Sequence, residues 1–131
     1  GKGVQLKEGS DITIIAAGVM VAKALEAAER LEKEGISARV INMPTIKPID
    51  KDIIIKAAKE TRGIVTAEEH SIIGGLGSAV AEVLSENYPA HMVRIGTMDT
   101  FGESGDAEEL MEKYGLSVGN IVDKSKKLLS K

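Results

Sequence analysis

The sequence predicts an α/β domain with a parallel or mostly parallel sheet and helices on both faces. Short runs rich in Val, Ile and Ala alternate with segments of helical periodicity, which is the pattern of such folds. The strand-like runs are apolar almost throughout, as in strands that are buried on both faces. With 131 residues and a hydrophobic content of 43%, the chain can form one domain with its own core.

The first half of the chain supplies two strands and two helices. We expect residues 1–10 to be a polar lead-in, followed by a strand at 11–17, a helix at 19–34 that ends at Gly35, and a strand at 37–43. Pro44 and Pro48 then predict an irregular connection, because neither can donate a hydrogen bond to a ladder. Asp50 is placed to cap a helix at 51–61.

The second half continues the alternation. A buried strand at 64–67 ends in Glu68-Glu69-His70, and a glycine turn leads into a helix that stops before Pro89. The next strand is expected at 90–96, with a fifth strand either at Val4-Gln5-Leu6 or around 97–100. The remaining predictions are an irregular loop at 97–105, a helix from Asp106 with Glu109 completing a capping box, and a helix at 118–129 capped by Ser117.

Composition excludes several classes of function. The chain has no cysteine, which rules out disulfides and thiolate chemistry and fits a cytoplasmic protein. A formal net charge of −3 gives no general affinity for nucleic acid, and no apolar run approaches the ~20 residues of a membrane span. The chain starts with Gly-Lys-Gly-Val rather than methionine, so we expect a piece of a longer protein.

The stretch from 63 to 84 contains most of the candidate site residues, at the carboxyl end of a strand where α/β folds bind ligands. Gly75-Leu76-Gly77 begins like a dinucleotide fingerprint, but Val80 replaces the third glycine, which favours a tight turn over a phosphate site. Glu68, Glu69 and His70 could form an acid/base set or contribute to a metal site, yet they are better explained as polar groups that form hydrogen bonds within the domain or across a subunit contact. We therefore expect no catalytic, cofactor-binding or metal-binding residue. The candidate interface or ligand-contact residues are Glu69, His70, Gly74, Gly75, Gly77 and Phe101.

Three segments, in order and over nearly the whole chain, resemble the C-terminal domain of transketolase, in the thiamine-diphosphate enzyme superfamily. The first is GSDITIIAAG at 9–18, and the second combines IKPID at 46–50 with VTAEEH at 65–70 and GGLGSAV at 74–80. These two are shared with deoxyxylulose-phosphate synthase and with the beta subunits of 2-oxoacid dehydrogenases. The third, DTFGESG at 99–105, is specific to transketolase, and the end of the chain resembles short, split transketolases.

The resemblance implies a single three-layer α/β/α domain over residues 1–131, with a mostly parallel five-stranded sheet. It also implies that the parent enzyme transfers a two-carbon ketol unit between sugar phosphates, in the pentose phosphate pathway, with thiamine diphosphate and Mg²⁺ or Ca²⁺. In the family, the pyrimidine- and diphosphate-binding domains hold the cofactor through residues that this sequence lacks. The resemblance thus predicts a domain that is inactive alone, packs on those domains and supports a homodimer.

Two alternatives to this assignment stay open. The chain could be a free-standing regulatory module that binds a nucleotide or a sugar phosphate at the carboxyl ends of its strands. It could also be the equivalent domain of deoxyxylulose-phosphate synthase or of a 2-oxoacid dehydrogenase.

Overall fold

A five-stranded sheet lies between two layers of helices in the computed structural model. The structure describes residues 1–71, 74–97 and 107–131, with residues 70, 71, 97, 107, 108 and 110 described by their backbone only. The strands are β1 Val4–Lys7, β2 Ile12–Ala16, β3 Ala38–Asn42, β4 Ile64–Ser71 and β5 Met92–Thr97. The helices are α1 Met20–Lys33, α2 Lys51–Glu60, α3 Leu76–Asn87, α4 Ala107–Lys113 and α5 Val118–Leu129.

The strand order is β1-β3-β2-β4-β5, and only β1 runs antiparallel to its neighbour. This arrangement confirms the predicted α/β class and the mostly parallel five-stranded sheet. The fifth strand is at Val4–Lys7, which was one of its two predicted positions, so part of the expected lead-in is an edge strand.

Each face of the sheet has its own core because successive strand residues point to opposite faces. On one face, Ile14 packs in a cluster with α1, α5 and Met111 of α4. On the other face, Ile15 packs in a cluster with residues of α2 and α3. The core is almost entirely aliphatic, as an aromatic content of 2% requires.

The predicted helix ends agree with the structure where it describes them. Gly35 and Gly115 take positive φ values of 80° and 76°, the left-handed conformation that glycine adopts without strain. Asp50 and Ser117 cap α2 and α5 by accepting hydrogen bonds from the backbone N–H of Ile53 and Asn120. The capping box of Asp106 lies outside the described residues.

Strand β4 is longer than the sequence predicted. It continues through Glu68, Glu69 and His70 to Ser71, instead of ending at Ala67. The pairing with β5 shifts between Ala67 and Ser71, so an irregularity falls on these polar residues. The prediction was wrong because it ended the strand with its apolar run, whereas backbone pairing continues past that point.

Two further features belong to the described part of the chain. Thr97 is the last residue of β5, so that strand extends into the segment predicted as an irregular loop. The rest of that loop, with Phe101, lies outside the described residues. Within the described residues, no helix has the length and apolar character needed to cross a membrane.

Candidate functional site at the carboxyl edge of the sheet

The parallel strands β2, β3, β4 and β5 all end at one side of the sheet, which we call the carboxyl edge. Helices α1, α2 and α3 begin at this edge because each follows a strand that ends there. Five of the six predicted contact residues, at positions 69, 70, 74, 75 and 77, lie here. The structure does not describe the sixth, Phe101.

Glu68 is the best-defined polar group of the carboxyl edge. Its side chain is only 2% exposed, and its two carboxylate oxygens accept hydrogen bonds of 2.7 Å from the backbone N–H groups of Leu76 and Gly77. These N–H groups are in the first turn of α3, where they have no acceptor within the helix. A carboxylate there also interacts favourably with the helix dipole. Glu68 therefore acts as a cap for α3 from a neighbouring strand.

This cap determines what the glycine turn can bind. A helix N-terminus is a common phosphate site because its free N–H groups point at the ligand. In this protein a buried carboxylate of the chain itself already occupies the N–H groups of Leu76 and Gly77. A phosphate at this terminus would have to displace Glu68 into an apolar interior. The geometry thus favours the tight turn over the phosphate site.

Each of the three positions in the turn is occupied by glycine for a different structural reason. Gly74 has a φ of 76°, in the left-handed region, and its N–H donates a 3.0 Å hydrogen bond to Ser78 Oγ. Gly75 is the N-cap residue of α3 and offers no side chain to cap it. Gly77 allows close approach to the sheet, since a Cβ there would lie 2.9 Å from Arg94 Cδ and 3.0 Å from Thr66 Oγ1.

Glu69 differs from Glu68 in its environment. It is half-buried, and its Oε1 lies near Gly18, which follows β2 and has a φ of 61°. No hydrogen bond or ion pair joins its carboxylate to another described residue. His70 continues the strand by its backbone. The two adjacent glutamates thus lie in different environments: Glu68 caps α3, and Glu69 has no hydrogen-bond or ion-pair partner among the described residues.

The first residues of the chain are also attached at the carboxyl edge. Gly3 N–H donates a 2.9 Å hydrogen bond to Asp50 Oδ2, while the other oxygen of Asp50 caps α2. Val4 pairs with Asn42 at the end of β3, and a Cβ on Gly1 would lie 2.5 Å from the Cβ of Thr45. Because β1 is antiparallel to β3, the chain enters the domain at this edge.

The chemistry available to the described part of this edge is limited. No group of three His, Asp or Glu side chains is placed to hold a metal ion there, counting described residues only. Both oxygens of the buried Glu68 carboxylate accept hydrogen bonds from the start of α3, so this group acts within the domain. What the edge does offer is an unpartnered carboxylate, exposed backbone at Gly74 and the chain entry.

Sequence reasoning did not identify the role of Glu68. It grouped Glu68 with Glu69 and His70 as polar groups that form hydrogen bonds within the domain or across a subunit contact, and the structure shows such bonds within the domain for Glu68. A detectable signal was the glycine start of α3, since a helix without a Ser, Thr, Asp or Asn cap needs an acceptor from elsewhere. The alternation of side chains along a strand would then have separated Glu68 from Glu69.

Comparison with known proteins identifies the family of this chain. Residues 1–121 match the sequence model described as transketolase, C-terminal domain. The chain therefore belongs to the family of transketolase C-terminal domains, which confirms the resemblance.

The relatives include separate subunits of transketolase type. The chain is 51% identical over 122 residues to the 6-deoxy-6-sulfo-D-fructose transketolase subunit SqwH of Clostridium sp. (strain MSTE9), covering 93% of this chain and 38% of that protein. It is 46% identical over 129 residues to 1-deoxy-D-xylulose-5-phosphate synthase of Heliobacterium modesticaldum, covering 98% of this chain and 20% of that protein. The chain thus spans well under half the length of these relatives.

A solved structure shows the same fold at high similarity. A split gene transketolase, described as an inactive beta4 tetramer, superposes with a TM-score of 0.94 at 56% identity, over 98% of this chain and 42% of that one. A transketolase of Pichia stipitis superposes with a TM-score of 0.72 at 24% identity, which shows the shared fold alone.

Proposed function

We propose that this chain is the C-terminal domain of a transketolase that transfers a two-carbon ketol unit between sugar phosphates, and that it serves assembly rather than chemistry. Family membership and the relatives named as transketolase subunits support the transfer activity. The closed N-terminus of α3 supports the assembly role, since Glu68 already accepts the hydrogen bonds that the N–H groups of Leu76 and Gly77 could offer to a phosphate.

The cofactor of the complete enzyme would be thiamine diphosphate, held by the pyrimidine- and diphosphate-binding domains with Mg²⁺ or Ca²⁺. When bound, it supplies the carbon nucleophile and stabilises the carbanion, which is the difficult chemistry of ketol transfer. The described residues of this chain do not fit that cofactor, because the amides of Leu76 and Gly77 are taken and no metal cluster is present among them. We assign no step of the reaction to this chain. That the chain is inactive without the other domains is a prediction.

The carboxyl edge is the surface that we propose to face the rest of the enzyme. In a C-terminal domain the other domains precede the first residue, and here the first residues are anchored at this edge through Gly3 and Asp50. Glu69 contributes a carboxylate without a described partner at the same edge. Its burial against another domain would require a hydrogen-bond donor or a cation there.

The proposed assembly is a homodimer of the complete enzyme, working on sugar phosphates of the pentose phosphate pathway in the cytoplasm. Where the domains are encoded separately, the companion chain would carry the diphosphate-binding domain. Relatives described as transketolase subunits and as a transketolase C-terminal section support such a division.

Alanine substitution of Glu69 and of His70 in the complete enzyme tests this proposal. We expect the concentration needed for half-assembly, measured by sedimentation velocity, to rise for both variants. Ketol transfer should recover at high protein concentration, because the assembled enzyme keeps its chemistry. The control is alanine at Glu26, an exposed residue of α1. Unchanged assembly and activity in both variants would disprove the proposed role of this edge.

Deoxyxylulose-phosphate synthase is the second candidate for the parent enzyme. A relative with that name is 46% identical over 98% of the chain, and the loop at 99–105 that favours transketolase lies outside the described residues. Assays of the complete enzyme with a ketose phosphate donor and with pyruvate separate the two. Activity only with the ketose phosphate as the donor supports transketolase. Activity only with pyruvate as the donor supports the synthase.

A further inference from the structure

A cleft of about 300 Å³ lies between the connection that precedes α2 and the outer side of α3, next to Gly74 and Gly75. Its apolar part is formed by Ile46 and Ile49 of the connection and by Ala79 and Val83 of α3. Ile46, Ile49 and Ala79 are half-buried, so the cleft has a narrow apolar floor within a lining that is more polar than apolar. We call this feature the α3 cleft.

The two rims of the α3 cleft have opposite charge. Lys47 and Lys51 form one rim, and Glu82 and Glu86 form the other. Glu82 and Glu86 are four residues apart and therefore lie on the same side of α3. All four side chains are exposed, and none forms an ion pair with another residue that the structure describes.

The wall that α3 contributes to the cleft is long enough for a segment of helix to lie along it. From Gly75 to Glu86, α3 provides about 17 Å of cleft wall, which corresponds to about three helical turns. An apolar floor between a basic and an acidic rim suits an amphipathic helix whose apolar face has an acidic flank on one side and a basic flank on the other. A small anion would be attracted to the lysine rim and repelled by the glutamate rim, so a phosphate ligand fits the cleft less well.

We propose that the α3 cleft binds an amphipathic helix from the domain that precedes this one in the complete enzyme. Apolar residues of that helix would cover Ile46, Ile49 and Val83, its acidic flank would face Lys47 and Lys51, and its basic flank would face Glu82 and Glu86. The inference rests on the proposed function and adds the docking surface and the chemistry of the partner. Continuity with the carboxyl edge at Gly74 and Gly75 supports it.

The opposite charges of the rims also determine the direction of the bound helix. If the helix is reversed while its apolar side stays on the floor, its two flanks exchange places and meet rims of like charge. Like charges brought together at an interface are strongly disfavoured. The α3 cleft therefore selects both the apolar face and the direction of its partner.

Carbodiimide cross-linking of the complete enzyme tests this inference, because the reagent joins amines and carboxylates that are in direct contact. We expect Lys47 or Lys51, and Glu82 or Glu86, to be linked to one and the same short segment of the preceding domain. The exposed α1 residues Glu26 and Lys33 are the internal control and should give no link to that segment. Links from the two rims to separate segments, or no link outside this domain, would overturn the inference.

Charge reversal gives a second, independent test. We expect K47E/K51E and E82K/E86K each to raise the half-assembly concentration by about tenfold, as for like charges placed in contact at an interface. The matched reversal E26K/E29K on α1 should leave it unchanged. If alanine at Glu69 impairs assembly but neither cleft variant does, the cleft inference fails and the docking edge stands. If none of these variants impairs assembly, both proposals fail.

Discussion

At the scale of single residues, two adjacent glutamates show how position on a strand divides structural from functional roles. Glu68 is buried beneath the first turn of α3 and accepts two hydrogen bonds from it. Glu69 lies at the other side, near Gly18, with no described partner. Identical side chains one residue apart therefore differ: one accepts two hydrogen bonds that stabilise the domain, and the other has no partner among the described residues.

The cap predicts a large loss of stability in the Glu68→Ala variant. Two buried N–H groups would lose a charged acceptor, and we expect the free energy of unfolding to fall by about 2–4 kcal/mol. Glu68→Gln keeps one acceptor oxygen and should lose about half as much. Urea denaturation of the 131-residue chain measures both changes.

The matched control for this prediction is Glu69→Ala. It removes a half-buried carboxylate without a described partner, so the free energy of unfolding should change by no more than about 0.5 kcal/mol. Equal effects of alanine at the two positions would contradict the distinction between cap and contact residue.

Sequence could predict the presence of polar residues at this strand end but not their division of roles. The run of Ile64, Val65, Thr66 and Ala67 marks a buried strand, and the charges after it mark the end of its apolar part. Which glutamate turns toward α3 depends on where β4 and α3 meet in space. That relation is set by long-range packing. Its only signal in the sequence is indirect: the N-cap residue of α3 is a glycine, which has no side chain to cap the helix.

At the scale of elements, α3 is positioned by its contact with the sheet as much as by its sequence. Gly77 brings the first turn of α3 against Thr66 of β4 and the side chain of Arg94 of β5. The sequence suggested a tight glycine turn that lets the start of the helix approach a neighbouring backbone, and Gly77, buried in the first turn of α3, is the glycine that allows this approach. Edge strand β1 was hard to predict because its apolar alternation spans only four residues, which are largely exposed.

Two glycine-to-alanine substitutions with opposite outcomes test this account of α3. Alanine at Gly77 would place a Cβ 3.0 Å from Thr66 Oγ1, so we expect the free energy of unfolding to fall by about 1 kcal/mol or more. Alanine at Gly119 in α5 meets no atom within 4 Å and should raise it by about 0.5–1 kcal/mol, because alanine favours helix. Thermal or urea unfolding measures both. A stabilising Gly77→Ala would show that α3 does not depend on close approach.

At the scale of the whole molecule, the two edges of the sheet have different character. The carboxyl edge contains the chain entry at Gly3, the carboxylate of Glu69, which has no partner among the described residues, and the nearby α3 cleft. The opposite, amino edge contains the loop before β5, where His91 is exposed. The mostly parallel topology produces this difference, because it collects the helix starts at one edge and the strand starts at the other.

The sequence predicted the fold class, the sheet and the family, since these depend on patterns that extend along the whole chain. It could not predict the α3 cleft. The cleft joins the connection at 46–51 to α3, and these segments meet only after α2 and α3 have packed side by side. The charges on its rims are individually ordinary surface residues, and only their spatial arrangement indicates a partner.

The orientation of the domain in the complete enzyme is the central claim, and thiol labelling tests it most directly. The chain contains no cysteine, so Glu69→Cys and His91→Cys each add one thiol, at the carboxyl and amino edges respectively. For each variant, the maleimide labelling rate is measured by peptide mass spectrometry in the complete enzyme and in the chain alone, and the two rates are compared. For Glu69→Cys we predict a rate that is at least about tenfold lower in the complete enzyme, since labelling there would require local opening. For His91→Cys the labelling rate should be the same in the complete enzyme and in the chain alone. Protection of the thiol at His91 together with unprotected labelling of the thiol at Glu69 would contradict the proposed orientation.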